Sequence, residues 1–252
     1  MSRDRTKENV KDNKEQALTK IDDLLTGLLE ENSTKSLKKA DLISYWINSF
    51  SQYIEREETF NPKRLLSYSR GDIIRVNFGF RVGKEFGGLH YAVVLDNKNA
   101  QSSNVLTVVP LSSTDGRKVH RNNVDLGSEL YTKVKNQFEH IFKKTQENIR
   151  ETKELLSAFD SNELTDESLL ELKEKYRNKE EEFIKNIATL ERYKSEIDNM
   201  KSGSMAVINQ ITTISKQRIY VPKKSTDYLY RIRLSPSALD RINEKVKEMF
   251  IR

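Results

Sequence analysis

Residues 128–201 carry a helical apolar repeat that separates two blocks of strand-like sequence. The repeat forms two seams with near-heptad spacing, over residues 130–159 and 169–200, and a polar turn around residues 160–162 lies between them. This pattern predicts an antiparallel helical hairpin, with arms of about 30 residues that are each ~45 Å long. The hairpin therefore interrupts one β domain, and the second block of strands must return to the sheet that the first block begins.

Strand-like periodicity begins at Tyr68. In RGDIIRVNFGF, alternate residues from Ile74 to Phe80 are apolar, which predicts a strand with one buried and one solvated face. AVVLDN and NVLTVVPL are continuously apolar and β-branched, as is typical of strands buried on both faces. The pattern resumes in GSMAVINQITTIS and continues to Leu234, after which Ser235 and a proline begin a C-terminal helix. The predicted fold class is α+β.

Two amphipathic helices are predicted before the first strand, over residues 17–29 and 42–54. Residues 1–16 are expected to be a loose, charged lead-in. The predicted organisation is an N-terminal helical region (1–66), a β domain in two segments (67–127 and 202–252) and the inserted hairpin (128–201). The apolar stripes of the N-terminal helices need a partner, which is the β domain, the hairpin or a second subunit.

The composition excludes several kinds of site. The chain has no cysteine, so disulfides, iron–sulfur clusters and thiolate zinc sites are impossible, and its three scattered histidines argue against an all-histidine metal site. No run approaches the roughly 18 apolar residues of a membrane helix, so we expect a cytoplasmic protein without a metal or other cofactor. The 44 Lys and Arg against 38 Asp and Glu give a formal charge of +6, which permits a polyanionic partner without requiring one.

Four blocks occur in a recognisable order: RGDIIRVNFG, EFGGLHYAVVLDN, TVVPLSS and GSMAVINQITTISKQRI, followed by a helix. Together they resemble the MazF/PemK (Kid) family of toxin endoribonucleases from bacterial toxin–antitoxin systems. The resemblance covers residues 68–127 and 203–252. It implies a small SH3-like β-barrel that forms a homodimer and cleaves single-stranded RNA without a metal, by attack of the 2′-hydroxyl, to leave a cyclic phosphate and a 5′-hydroxyl. It also implies a cognate antitoxin, protein or RNA, that blocks the RNA groove.

Such a reaction needs a base, an acid and donors for the charge on the phosphate. His90 stands where many family members have arginine, and we assign proton transfer to it. The permanent positive charge of the family arginine is absent at this position. Ser112 matches the family's Thr or Ser at the end of a strand and would donate to the phosphate, and Gln210 matches the Gln of the Q-I-R-T block and would orient RNA or the catalytic pair. The cation must then come from a nearby arginine, for which the candidates are Arg70, Arg81, Arg121 and Arg218.

A loop over residues 79–88, the flap, is rich in glycine and suits close approach of backbone to RNA. Phe86 within it could stack a base or simply pack the flap. Each other assignment has an ordinary structural alternative: His90 as a strand-end histidine, Ser112 as a strand terminus, Gln210 as a buried amide. The predicted RNA-binding residues are Arg70, Arg81, Phe86, Gly87, Gly88, Ser113, Arg121, Thr213 and Arg218, and no metal ligand is predicted.

Two readings from other classes remain open. Loss of the family arginine at His90 is compatible with a non-catalytic module that binds RNA or poisons a protein, as the related gyrase-inhibiting toxins do. Alternatively, the chain is mainly a coiled-coil scaffold with the β domain as its anchor. The hairpin itself is a solvated coiled pair, an RNA-guiding arm, a dimer contact or a docking surface for a regulator.

Overall fold

The computed structural model describes residues 5–114, 116, 118–160 and 166–251, and it has a mixed α+β architecture. Its helices are α1 (Lys7–Glu31), α2 (Thr34–Glu55), α3 (Glu129–Asp160), α4 (Asp166–Asn199) and α5 (Pro236–Phe250). Its strands are β1 (Ile73–Asn77), β2 (Leu89–Val94), β3 (Val105–Ser113), β4 (Asn123–Gly127), β5 (Ser204–Val207), β6 (Thr212–Ser215) and β7 (Ile219–Val221). The chain divides into two compact units, Met1–Phe60 with Gly79–Val82, and Asn61–Phe78 with Gly83–Arg252.

In the first unit, the helices begin earlier than the apolar pattern predicts. The side chain of Thr6 accepts a hydrogen bond from the Asn9 amide, and α1 starts at Lys7, so the expected loose lead-in over residues 1–16 is wrong from Lys7 onward. The cause is an N-cap followed by residues that favour a helix, which act without an apolar stripe. A capping box between Ser33 and Ser36 likewise starts α2 before the predicted residue 42.

The aromatic residues of α2 cluster around Trp46, whose ring centroid lies 5.9 Å from that of Phe50 and 6.3 Å from that of Tyr53. Gly79 also packs on this indole. Its φ is +77°, and a Cβ there would lie 2.7 Å from the indole ring, so only glycine fits. By contrast α1 buries no residue, and Leu29 of its predicted stripe is more than half exposed.

The second unit is built on a seven-stranded antiparallel sheet in the order β4-β5-β3-β2-β1-β7, with β6 also paired to β3. Strands β4 and β5 flank the hairpin in sequence and pair with each other, with Val124 opposite Ala206. The second β block thus returns to the first sheet, as predicted, but the strand expected up to Leu234 is wrong, because residues 228–231 form turns. The sheet is not closed into a barrel, since the described strands β4 and β7 at its two ends are not paired and β7 has only three residues.

Both faces of the sheet are buried. One face packs on the helices through residues such as Val93, Val109 and Tyr193, and the other face holds a second apolar cluster around Val76 and Leu106. The prediction of a solvated face on β1 is wrong, because only its central residue is even partly exposed. That residue is Arg75, and helix α4 lies over it.

The hairpin pairs α3 with α4, and its predicted turn at residues 161–162 and the side chain of Phe159 lie outside the described residues. The seam between the helices is less apolar than predicted. Thr145 and Asn148 are its buried residues in mid-helix, whereas the predicted seam residues Ile149 and Leu156 are exposed. The Asn148 side chain donates to the Lys179 carbonyl at 3.3 Å. Polar contacts between two exposed helices tolerate water at their edges, so this seam does not need a continuous apolar stripe.

The C-terminal helix begins as predicted, with Pro236 in its first turn and the Ser235 side chain accepting from the Ala238 amide. Throughout the part of the chain that the structure describes, no helix combines the length and apolar character needed to cross a lipid bilayer.

Candidate active site

His90 is held by strand pairing and by the glycines before it. It lies opposite Val76 in the β1–β2 ladder, and the Phe78 amide donates to the Gly88 carbonyl at 2.8 Å. Gly88 has a φ of +88°, and a Cβ on it would come within 3.4 Å of His90 Nε2. Gly87 and Gly88 therefore form the turn that brings the imidazole to the rim of the sheet.

The imidazole of His90 is half-buried against an aromatic wall. Its centroid lies 4.6 Å from that of Phe86, which in turn meets Phe78 edge-on at 5.6 Å. Burial lowers the pKa of His90 below its usual value, and the positive charge of Arg75 lowers it further. The ring is consequently neutral at pH 7 and has a lone pair with which to accept a proton.

His90 and Ser112 line the same cavity. The β2–β3 ladder ends at the pair Ala92 and Pro110, because proline has no N–H to donate. Beyond that pair, residues 89–91 and 111–113 line a cavity of about 210 Å³, which we call the His90 cavity. Ser112 and Ser113 belong to its lining.

The His90 cavity also contains residues that the sequence did not single out. Arg75 from β1 and Lys201, just after α4, line it and supply positive charge. Ser204 lines it too, and its Oγ is buried with no hydrogen-bond partner among the described residues. In the sequence, Arg75 stands out only as a positive charge inside an apolar strand. The alternation of apolar and polar residues placed its side chain on a solvated face of that strand.

Arg75 is the centre of a polar network. Its Nη1 lies 2.5 Å from Oε1 of Glu196 on α4 and 3.5 Å from the Tyr228 hydroxyl. The Tyr91 hydroxyl donates to Oε2 of Glu196 at 3.0 Å, and the guanidinium lies 5.7 Å from the ring centroids of both Tyr91 and Tyr220. Burial, reinforced by the negative charge of Glu196, raises the pKa of Tyr91 and Tyr228, so both phenols stay protonated.

Gln210 contacts the flap. Its Oε1 accepts from the Phe86 amide at 3.1 Å, and its Nε2 donates to the Lys84 carbonyl at 3.5 Å. The amide thereby holds the segment that carries Phe86 against His90. Gln210 contacts Phe86, which in turn contacts the imidazole of His90, whereas Ser112 lines the His90 cavity directly.

Three of the four arginines proposed as the missing cation belong to the second unit and are not among the described residues that line the His90 cavity. Arg70 donates to the Leu95 carbonyl and to Asn243 of α5, and Arg218 Nε donates to the Asn77 carbonyl at 2.9 Å. These contacts join strands and helix. Arg121 is exposed in the loop before β4, and Arg81 belongs to the first compact unit.

Thr213 is a cross-strand partner of Thr107 in the β3–β6 pair, with 3.3 Å between the hydroxyl oxygens. None of the described residues forms a cluster of three or more His, Asp or Glu suited to a metal ion.

Comparison with known families gives one match. Residues 69–164 match the model of the PemK-like, MazF-like toxins of type II toxin–antitoxin systems, a segment that includes His90, Ser112 and Arg75. No curated protein matches the chain. The matched family is therefore the one that the sequence motifs indicated.

Proposed function

We propose that this protein is the toxin of a type II toxin–antitoxin system and acts as a metal-independent endoribonuclease on single-stranded RNA. The observation that carries the proposal is the His90 cavity, which His90, Ser112, Ser113 and Arg75 all line and where burial lowers the pKa of the imidazole. The family match supports the toxin class and implies a protein antitoxin as partner.

In the proposed reaction, neutral His90 accepts the proton of a 2′-hydroxyl, and the resulting oxyanion attacks the adjacent phosphorus. Arg75 and Ser112 stabilise the negative charge that builds on the phosphate oxygens, with Lys201 as a second cation at the wall. The 5′-oxygen leaves with a proton from water, so the products are a cyclic phosphate and a 5′-hydroxyl. Arg75 thus takes the role of the arginine that His90 replaces.

Further residues bind the RNA strand under this proposal. Phe86 stacks a base, Gly87 and Gly88 let the backbone approach, and Gln210 fixes the flap through the Phe86 amide. The open sheet would correspond to the family's SH3-like barrel, and a homodimer would form in the cytoplasm as in that family. The arginines proposed earlier would act on fold stability, with Arg81 and Arg121 as outer phosphate contacts.

The decisive test is cleavage of a mixed-sequence single-stranded RNA in EDTA, with analysis of the fragment ends. We expect cyclic-phosphate ends from the native protein, their loss in His90→Ala, and at least a tenfold to hundredfold slower reaction in Ser112→Ala. His140→Ala, at an exposed histidine of α3, is the matched control and should cleave normally.

Two other outcomes would reject the enzyme. Intact RNA that is nevertheless bound would indicate a non-catalytic module. The absence of any RNA binding would favour a scaffold.

A further inference from the structure

The inserted hairpin reaches the His90 cavity with the C-terminal end of α4. Asn199, Met200 and Lys201 line the cavity directly. One turn earlier, Glu196 contacts Arg75, which lines the same cavity from β1. The hairpin therefore supplies residues that line the His90 cavity, and it also supplies Glu196, which contacts the lining residue Arg75.

Both carboxylate oxygens of Glu196 are used within the network. Oε1 contacts Arg75 Nη1 at 2.5 Å, and Oε2 accepts from the Tyr91 hydroxyl at 3.0 Å. The two charged side chains are only 25% and 20% exposed, so water screens this pair less than a surface pair. Tyr91 fixes the carboxylate, and the carboxylate in turn fixes one nitrogen of the guanidinium.

The guanidinium of Arg75 has more donors than the network with Glu196 and Tyr228 uses. Tyr91 and Tyr220 lie at equal distances from it, and within the described residues its hydrogen bonds to Glu196 and Tyr228 both use Nη1. An arginine has five N–H donors in a planar fork. Its Nε and Nη2 edge therefore stays available for two oxygens of a phosphate.

We propose that Glu196 is a positioning residue, which holds Arg75 in the orientation that the scissile phosphate needs, so that the inserted hairpin completes the active site. The inference rests on the proposed RNA cleavage for its catalytic part. The electrostatic coupling between Glu196 and His90 can be measured without any RNA, from the pKa of His90. The opposite hypothesis is that the Glu196 carboxylate competes with phosphate for Arg75 and inhibits the enzyme.

The first experiment measures the pKa of His90 by NMR titration in the native protein and in Glu196→Gln. The charged and titratable groups around the ring are Arg75, Lys201, Glu196, Tyr91 and Tyr228. If Glu196 balances the Arg75 charge, its loss exposes His90 to the full positive field and lowers the pKa of His90 further. Glu191→Gln, the same charge change at an exposed position of α4, should leave it unchanged. A pKa of His90 that is equal in the native protein and Glu196→Gln would overturn the coupling.

The second experiment measures kcat and KM for RNA cleavage. We expect Glu196→Gln to lower kcat by about tenfold or more with little change in KM, because a misplaced guanidinium stabilises the transition state less. Tyr91→Phe, which removes the hydrogen bonds of the Tyr91 hydroxyl to Oε2 and Tyr228 but leaves the contact between Oε1 and Arg75, should show a smaller loss, and Glu191→Gln should show none. A higher kcat in Glu196→Gln would establish competition and sink the proposal.

The two experiments separate two kinds of failure. If the native protein cleaves no RNA, the proposed function fails, but the His90 titration still decides whether Glu196 acts on the cavity. If the native protein cleaves RNA and Glu196→Gln cleaves equally well, only the positioning role fails. Thermal unfolding of each variant checks that a lost activity is not a lost fold.

Discussion

The two parts of the hairpin differ although both are amphipathic helix pairs. The cavity end, residues 129–134 and 190–201, packs on the sheet and buries Leu130, Val134 and Tyr193. The distal part, residues 142–156 and 175–187, has a polar seam and leaves Ile149 and Ile184 exposed. Ion pairs between Lys144 and Glu182 and between Lys179 and Glu151 link its helices.

This difference shows that the apolar stripe of a helix is buried only where another part of the fold packs against it. The sheet supplies one to the cavity end, where Glu196 and Arg75 also meet in partial burial. In the distal part the described contacts join the two helices to each other, and its buried residues Thr145 and Asn148 are polar. Chemistry and stability should therefore both concentrate at the cavity end.

The largest expected effect is on catalysis at the cavity end. Arg75→Gln removes the guanidinium from the His90 cavity and should lower kcat for RNA cleavage by about 10²-fold or more, as loss of a transition-state donor does. Arg150→Gln in the distal part, where the side chain is 73% exposed, removes the same charge and should leave kcat unchanged. Equal losses in both variants would mean that overall charge, and not the cavity, drives activity.

The next effect is on stability. Tyr193→Ala empties a site that is only 2% exposed and should lower the free energy of unfolding by about 3–5 kcal/mol. Ile184→Ala in the distal part is 61% exposed before truncation and should change it by less than about 0.5 kcal/mol. Urea unfolding of the two variants measures both changes. Similar values would show that the distal part is as tightly packed as the cavity end.

A smaller effect links pH to the cavity end. The pKa of His90 is lower in the folded protein than in the unfolded chain, so the unfolded chain binds the proton first as the pH falls. The contribution of His90 to stability is therefore complete above about pH 6.5 and is lost as the pH falls below that value. His90→Gln should flatten the slope of unfolding free energy against pH between about 6.5 and 5. Identical slopes for the two proteins would contradict the burial of a neutral imidazole.

The smallest effect belongs to the distal ion pairs. Lys144 and Glu182 are separated by 2.7 Å, but their side chains are 59% and 35% exposed. Lys144→Ala should lower the free energy of unfolding by no more than about 0.5–1 kcal/mol, and 1 M salt should abolish the difference. A loss of more than about 2 kcal/mol that survives salt would show that the distal part depends on this pair.

Much of the fold follows from local pattern. The strand segments around Val76 and Val109, the inserted hairpin and the start of α5 at Pro236 all have periods or caps that neighbouring residues define. The pairing of β4 with β5 was also predictable, because an interrupted β domain must close its sheet. The start of α1 was missed, since caps and helix propensity produce helix there without an apolar stripe.

The site was predictable only in part. His90 and Ser112 follow from motifs, and the structure places both at one cavity. Arg75 was missed because alternation assigns a charged residue in a strand to solvent, whereas a helix far along the chain covers it. The contact of Arg70 with Asn243 could not be predicted, because no residue near Arg70 in the sequence indicates it.

The sequence by itself indicated the succession of helical and strand-rich segments along the chain and the toxin family whose model residues 69–164 match, because each depends on residues close together in the chain. Only the tertiary structure decided which cation lines the His90 cavity. Arg75 and Glu196 are 121 residues apart in sequence and meet because the sheet and α4 pack face to face. Such packing decides which partner a charged side chain has and how deeply it is buried, and the neighbouring residues in the sequence do not determine either property.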